Sequence, residues 1–152
     1  MYGARVSING MLDQGYGAVY NMEGMGSNGR IQEGMTIYGP IKAAVHYFNL
    51  ALASETNSRP VLVGSISPGM LATDLLIDQF KEDPDMWQRS KRVLSIIMDE
   101  VGTVPPWLAP RILLNEKHGA RIAWLTRRRL AGRFLLAPFL CRPALGELED
   151  YQ

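Results

Sequence analysis

The chain has 152 residues, 47% of them hydrophobic and 20% charged, with a formal net charge of +1. That is length enough for one domain with a buried core, and so small a charge imbalance gives no reason to expect nucleic acid as a partner. The single cysteine, Cys141, excludes an internal disulfide framework, and His46 and His118 stand too far apart in sequence to suggest a metal constellation, so both read as structural or surface histidines.

Residues 1–16 show little pattern, and Gly3, Gly10 and Gly15 are expected to break any helix there. Ala18-Val19-Tyr20-Asn21-Met22 reads as a short buried strand between Gly17 and Gly24. Residues 23–36 carry Gly24, Gly26, Gly29 and Gly34 among polar residues and read as a loop. From Tyr38 to Thr56 the apolar positions Ala43, Ala44, Tyr47, Phe48, Ala51 and Leu52 recur at helical spacing, and Pro40 suits a first turn. Val61 to Ile66 is a second apolar, β-branched run, followed by the turn Ser67-Pro68-Gly69-Met70. Two such runs joined by a long helix make a β-α-β unit with parallel strands.

Residues 74–81 are expected to form a short helix and Met86 to Met98 a longer one. Val104 to Asn115 reads as a helix started by Pro105 and Pro106 and bent by Pro110. Ile122-Ala123-Trp124-Leu125 is a candidate third strand. The tail from Arg127 is basic and apolar, then acidic at Glu147, Glu149 and Asp150. Its apolar stretch, Phe134 to Cys141, contains Pro138, lies between Arg133 and Arg142, and is far short of a membrane span. The N-terminus lacks the basic and then apolar pattern of a signal peptide.

The chemistry concentrates in Thr36-Ile37-Tyr38-Gly39-Pro40-Ile41-Lys42. A spacing of four sets Tyr38 and Lys42 on one face of a helix, one turn apart. An ammonium there favours the phenolate over the phenol. Ser27, eleven residues earlier, could hold a carbonyl oxygen while the tyrosine protonates it. Given a hydride donor, this is equipment for reducing a ketone or aldehyde. Taken alone, the pair is weak evidence and better fits a tyrosine packed at a helix start beside a solvated lysine. Ser27 could also be a plain loop serine, and Pro68-Gly69 an ordinary turn. Met25 and Met35 could border an apolar substrate or simply cover the core. The basic run Arg127-Arg128-Arg129 with Arg133 reads as a solvated face, with contact to an anionic membrane surface through residues 127–142 as a second reading.

The order of the pieces resembles the C-terminal half of a short-chain dehydrogenase/reductase. The residues that carry the resemblance are Asn21-Met22-Glu23-Gly24-Met25-Gly26-Ser27 after the first strand, Tyr38 and Lys42 at the helix start, and Pro68-Gly69-Met70-Leu71-Ala72-Thr73-Asp74 after the second strand. The serine loop, the Pro-Gly-Met turn, Thr103 to Arg111 and Ile122 to Thr126 are similar to chlorophyll(ide) b reductase and its cyanobacterial and plastid relatives. Many family members set the serine at the position of Gly24, whereas that subgroup sets it where Ser27 stands.

The resemblance implies an α/β fold: about three strands and flanking helices from the C-terminal half of a Rossmann-like, doubly wound parallel sheet, then a helical, basic extension. It divides the chain into an unmatched segment 1–10, a partial domain 11–126 and the extension 127–152. It implies an NAD(P)-dependent carbonyl reductase acting on an apolar substrate, in the cytoplasm or on plastid membranes. Tyr38 would be the general acid. Lys42 would support it and bind the nicotinamide ribose, and Ser27 would orient the carbonyl. Pro68, Gly69 and Met70 would lie against the nicotinamide, with Thr73 meeting its carboxamide.

The family's pyrophosphate-binding turn, its cofactor-selecting residue and its catalytic asparagine are expected upstream. Asn9 is too close to Ser27 to take that last role. The strand near residue 20 is therefore expected to be a sheet edge. The isolated chain is expected to be inactive unless a second copy or a complementing N-terminal half completes it. The alternative is a non-catalytic interaction protein that retains the serine, tyrosine and lysine.

Overall fold

A computed structural model describes residues 1–74, 76, 78 and 84–137. The elements in order are α1 (Tyr2–Gln14), β1 (Gly17–Met22), α2 (Tyr38–Glu55), β2 (Val61–Ser67), β3 (Met70–Leu71), α3 (Pro84–Ile97), β4 (Met98–Asp99), α4 (Val104–Leu113), β5 (Arg121–Ala123) and α5 (Arg127–Leu136). They fall into two compact units: Met1–Ser67 with Pro110–Ala123, and Pro68–Ala109 with the residues from Trp124 onward.

The first unit is built on a parallel sheet of three strands in the order β1-β2-β5. The β1-α2-β2 segment is the β-α-β unit that the two apolar runs predict, and β1 is an edge strand, as expected. Register sets Val19 beside Val63 and Gly17 beside Val61. On that face Val61 and Val63 form a core with Ile8 of α1 and Ala53 of α2, supported by Met11, Leu12, Val19 and Leu52. Burying such side chains contributes roughly 1.5–3 kcal/mol each, which makes this cluster the anchor of the unit.

Helix α1 corrects the reading of residues 1–16 as unpatterned. Gly3 and Gly10 sit inside it, and Gly15 ends it in a left-handed conformation with φ 85°. Each internal glycine costs a helix about 1 kcal/mol relative to alanine. Ile8, Met11 and Leu12, spaced three and four residues apart, offset that cost by packing on the sheet.

In the second unit β3 pairs in parallel with β4, and Ala72 N–H extends the pairing to the Asp99 carbonyl at 2.9 Å. This two-stranded sheet has no sequence signature, because two residues are too few to show a period. Ala72, Trp87, Leu94 and Met98 form its core. Asp74, Leu76 and Asp78 are helical, and the rest of the short helix expected over 74–81 lies outside the described residues. Helix α4 carries Pro110 within it, as expected.

Two further expectations are corrected. The third strand is Arg121–Ala123 and stops before Trp124. The Trp124 indole N–H donates instead to the buried Asp99 carboxylate at 2.7 Å, and its ring packs edge-on against Trp107 at 5.1 Å. The basic run is also not a purely solvated face. Arg129 stacks 3.8 Å from the Trp124 ring centroid, and Arg133 donates to Asp99 at 2.8 Å and to the Ile97 carbonyl at 3.0 Å. A buried carboxylate needs such partners: Arg133 and the Trp124 indole supply them, while Arg129 braces Trp124 through its ring and its carbonyl. No helix among the described residues is long and apolar enough to cross a membrane. The chain from 138 onward, including Cys141 and the acidic end, lies outside the described residues.

Candidate active site

Strand β1 ends at Met22, and the glycine-rich loop turns there toward the start of α2. Glu23 N–H still bonds the Ile66 carbonyl at 2.8 Å, so the strand's pairing continues one residue further. The loop then lies tightly against the helix. Gly26 has φ 91°, and a Cβ on it would stand 2.7 Å from the Gly39 Cα. Only a glycine fits both the left-handed backbone and that approach.

Tyr38 is the first residue of α2 and is 46% exposed. Its hydroxyl lies so close to Gly24 that a Cβ there would run into it, and the same Cβ would meet the Lys42 Cε at 3.0 Å. Gly24 is thus the floor beneath both side chains. The Lys42 ammonium donates to the Met22 carbonyl at 3.3 Å and stands 5.5 Å from the Tyr38 ring centroid. An ammonium has three donors, so two remain for other acceptors. The structure therefore brings Tyr38 and Lys42 together at the carboxyl end of β1, where open parallel sheets bind ligands.

Ser27 is placed differently from its expected role. It is 6% exposed, its Oγ accepts from Gly24 N–H at 3.0 Å, and its hydroxyl donates to the Lys42 carbonyl at 3.2 Å. The first bond closes the loop on itself and the second ties it to the helix backbone, and together they engage the hydroxyl that was expected to hold a substrate carbonyl.

Pro68, Gly69, Met70 and Thr73 belong to the second unit. Gly69 has φ 85°, and a Cβ on it would meet the Leu125 Cβ at 3.1 Å, so the turn depends on glycine. Met70 enters β3, and Thr73 is exposed with its N–H on the Leu71 carbonyl at 2.9 Å.

Sequence reasoning missed a cluster beneath the pair. Glu23 is 3% exposed. The His46 Nδ1–H donates to its Oε1 at 2.8 Å, and the Arg121 Nε–H donates to its Oε2 at 2.6 Å. Burial opposes ionisation, but bonds from His46, Arg121 and Ser65, with the Arg121 charge, more than offset it and hold the carboxyl below the usual carboxylate range. The signal available in the sequence was a carboxylate at the end of an apolar strand, with His46 four residues beyond Lys42. His118 is structural, as read: its ring bonds the Ala53 carbonyl at 2.7 Å.

The sequence profile of the short chain dehydrogenase family matches residues 1–84. The chain belongs to this family. The match begins at residue 1 and so takes in the segment that the motifs left unassigned. Among curated short-chain dehydrogenase relatives, the acetoacetyl-CoA reductase of Cupriavidus necator is 33% identical over 78% of this chain and 42% of its own length. The chloroplastic chlorophyll(ide) b reductase of Oryza sativa subsp. japonica is 30% identical over 71% of this chain and 31% of its own. The resemblance to chlorophyll(ide) b reductases drawn from the serine loop is thereby borne out. The L-sorbose reductase of Gluconobacter frateurii, solved with NADPH and L-sorbose, shares the fold with a TM-score of 0.62 over 79% of this chain and 50% of that one, at 19% identity. The chain thus spans less than half the length of these two curated relatives.

Proposed function

We propose that this short-chain dehydrogenase chain carries the proton-donating part of an NAD(P)-dependent carbonyl reductase site, acting on an apolar substrate of the chlorophyll(ide) b type. The observation that carries the reading is the Tyr38 hydroxyl held over Gly24, with the Lys42 ammonium one turn away and anchored on Met22. Tyr38 donates a proton to the carbonyl oxygen, and Lys42 supports the phenolate left behind. Gly24, with no side chain, lets the Tyr38 hydroxyl and the Lys42 stem lie close over the end of β1. Lys42 and Tyr38 would hold the nicotinamide ribose; in the second unit the family motif gives Pro68, Gly69, Met70 and Thr73 a role at the nicotinamide ring. The dinucleotide, when bound, supplies the hydride.

Lipid contact over 127–142 belongs to the same proposal. It would rest on Arg127 and Arg128, since Arg129 and Arg133 make inward contacts.

Titration with NADPH and with NADH, read by nicotinamide fluorescence, tests cofactor binding. Turnover with acetoacetyl-CoA and chlorophyllide b as probes tests the chemistry. Saturable binding, and a turnover that falls about 100-fold or more in Tyr38→Phe, is the expected result. No saturable binding, or turnover indifferent to Tyr38→Phe, refutes the reading. A second reading, a non-catalytic interaction protein that retains the motif, has one observation in its favour: the Ser27 hydroxyl is engaged by backbone partners. It predicts no cofactor binding at all.

A further inference from the structure

Helix α2 carries Tyr38, Lys42 and His46 at successive intervals of four residues, one stripe down the helix. Each meets a different residue of one tripeptide at the end of β1. Tyr38 lies over Gly24, Lys42 bonds the Met22 carbonyl, and His46 bonds the Glu23 carboxylate. Glu23 is the middle of the three, and its own side chain is the best anchored. One oxygen takes the helix through His46, the other takes β5 through Arg121, and its N–H takes β2 through Ile66. Four elements therefore converge on a single buried residue.

A buried ionic cluster is poor evidence of stability, because well-packed apolar residues of similar volume often do as well or better. What such a cluster offers is geometry, since charge-assisted bonds at 2.6 and 2.8 Å admit little sliding. If α2 slid along the sheet, the Tyr38 hydroxyl would leave Gly24 and the Lys42 ammonium would leave Met22. Misplacing a reacting group by 1 Å can cost about 100-fold in rate.

We propose that Glu23 is a positioning residue for the Tyr38–Lys42 pair. With His46 and Arg121 as its arms, it sets the register of α2 against the end of β1. The role in catalysis rests on the proposed reductase reading, while the role in setting register does not.

The test uses the full chain with Glu23→Gln, which keeps shape and loses charge, and Glu23→Ala, which loses both. Tyr38→Phe serves as the reference for the reaction. Amide hydrogen exchange across residues 38–46 is expected to quicken about tenfold in Glu23→Ala and less in Glu23→Gln, with α3 unchanged. Turnover of the probe carbonyl is expected to fall in the same order, at least tenfold in Glu23→Ala, with KM for NADPH within twofold. Wild-type exchange at 38–46 in both variants overturns the proposal. So does quickened exchange with unchanged turnover, and so does a loss confined to KM. If Glu23→Ala fails to fold, Glu23→Gln decides by the same criteria. If wild type shows no turnover dependent on Tyr38, the reductase reading fails by itself, and exchange alone decides whether Glu23 sets the helix register.

Discussion

Replacing Glu23 by glutamine should flatten the acid limb of this protein's stability. The Glu23 side chain is 1% exposed in its pair with Arg121, whose own side chain is 49% exposed, and the His46 side chain is 33% exposed. In the folded chain the carboxyl lies below its usual value of 4.5. The unfolded state therefore takes up the proton first as pH falls. The stabilisation is fully present above about pH 5, is lost as pH falls from the ordinary value through the folded one, and is gone below both. Bonds to a charged group contribute about 1.5–3 kcal/mol each, but both partners here are partly wet and regain water when released. Glutamine also keeps an acceptor for Arg121. The expected cost of Glu23→Gln at pH 7 is therefore about 1–2 kcal/mol, less than the 3–5 kcal/mol typical of breaking a fully buried pair. Urea unfolding at pH 7 and at pH 3.5 measures both limbs. The variant should be weaker at pH 7 and converge on wild type at low pH. Equal stability at pH 7, or a difference that persists undiminished in acid, would refute the account of a carboxylate kept ionised by His46, Arg121 and Ser65.

Gly24→Ala should lower the melting temperature modestly, because the new Cβ must push the Tyr38 hydroxyl and the Lys42 stem aside and this outweighs the trimmed unfolded-state freedom. It should lower Tyr38-dependent turnover about 100-fold by displacing the hydroxyl. Unaltered turnover would mean that Gly24 is not the floor of the site. Ser27→Ala should cost about 1–3 kcal/mol in urea unfolding, chiefly through the orphaned Gly24 N–H. A variant of full stability with abolished turnover would restore the substrate-orienting role. Asp99→Ala strips the carboxylate from Arg133 and Trp124, and a loss of about 3–5 kcal/mol by urea titration is expected. A loss under 1 kcal/mol would show that the Asp99 cluster does not hold the second unit. Val63→Ala, at a side chain with no exposure, should cost about 2–3 kcal/mol. A change within 0.5 kcal/mol would place the core elsewhere.

The Tyr38–Lys42 pair was legible because a helix converts a spacing of four into shared direction. The β1-α2-β2 order was legible because buried parallel strands read as continuous apolar runs. Helix α1 was hidden because its glycines argue locally against a helix that only the sheet beneath Ile8, Met11 and Leu12 stabilises. Ser27 was legible as a residue but not as a set of bonds. Whether its hydroxyl faces a ligand or the Gly24 and Lys42 backbones depends on how closely the loop packs on α2.

The sequence by itself determined the fold class, the family and the two side chains that could move a proton, since each is set by short-range spacing or by local pattern. Only the tertiary structure decided what holds those side chains in place. Glu23, His46 and Arg121 are separated by 23 and 75 residues of chain. They meet because the fold brings the end of β1, one face of α2 and the start of β5 to one place, and no local pattern encodes a meeting of charges at that distance. The same holds for Asp99, Trp124 and Arg133 in the second unit, where a basic segment that reads as solvent-facing contributes one arginine, Arg133, to a buried carboxylate.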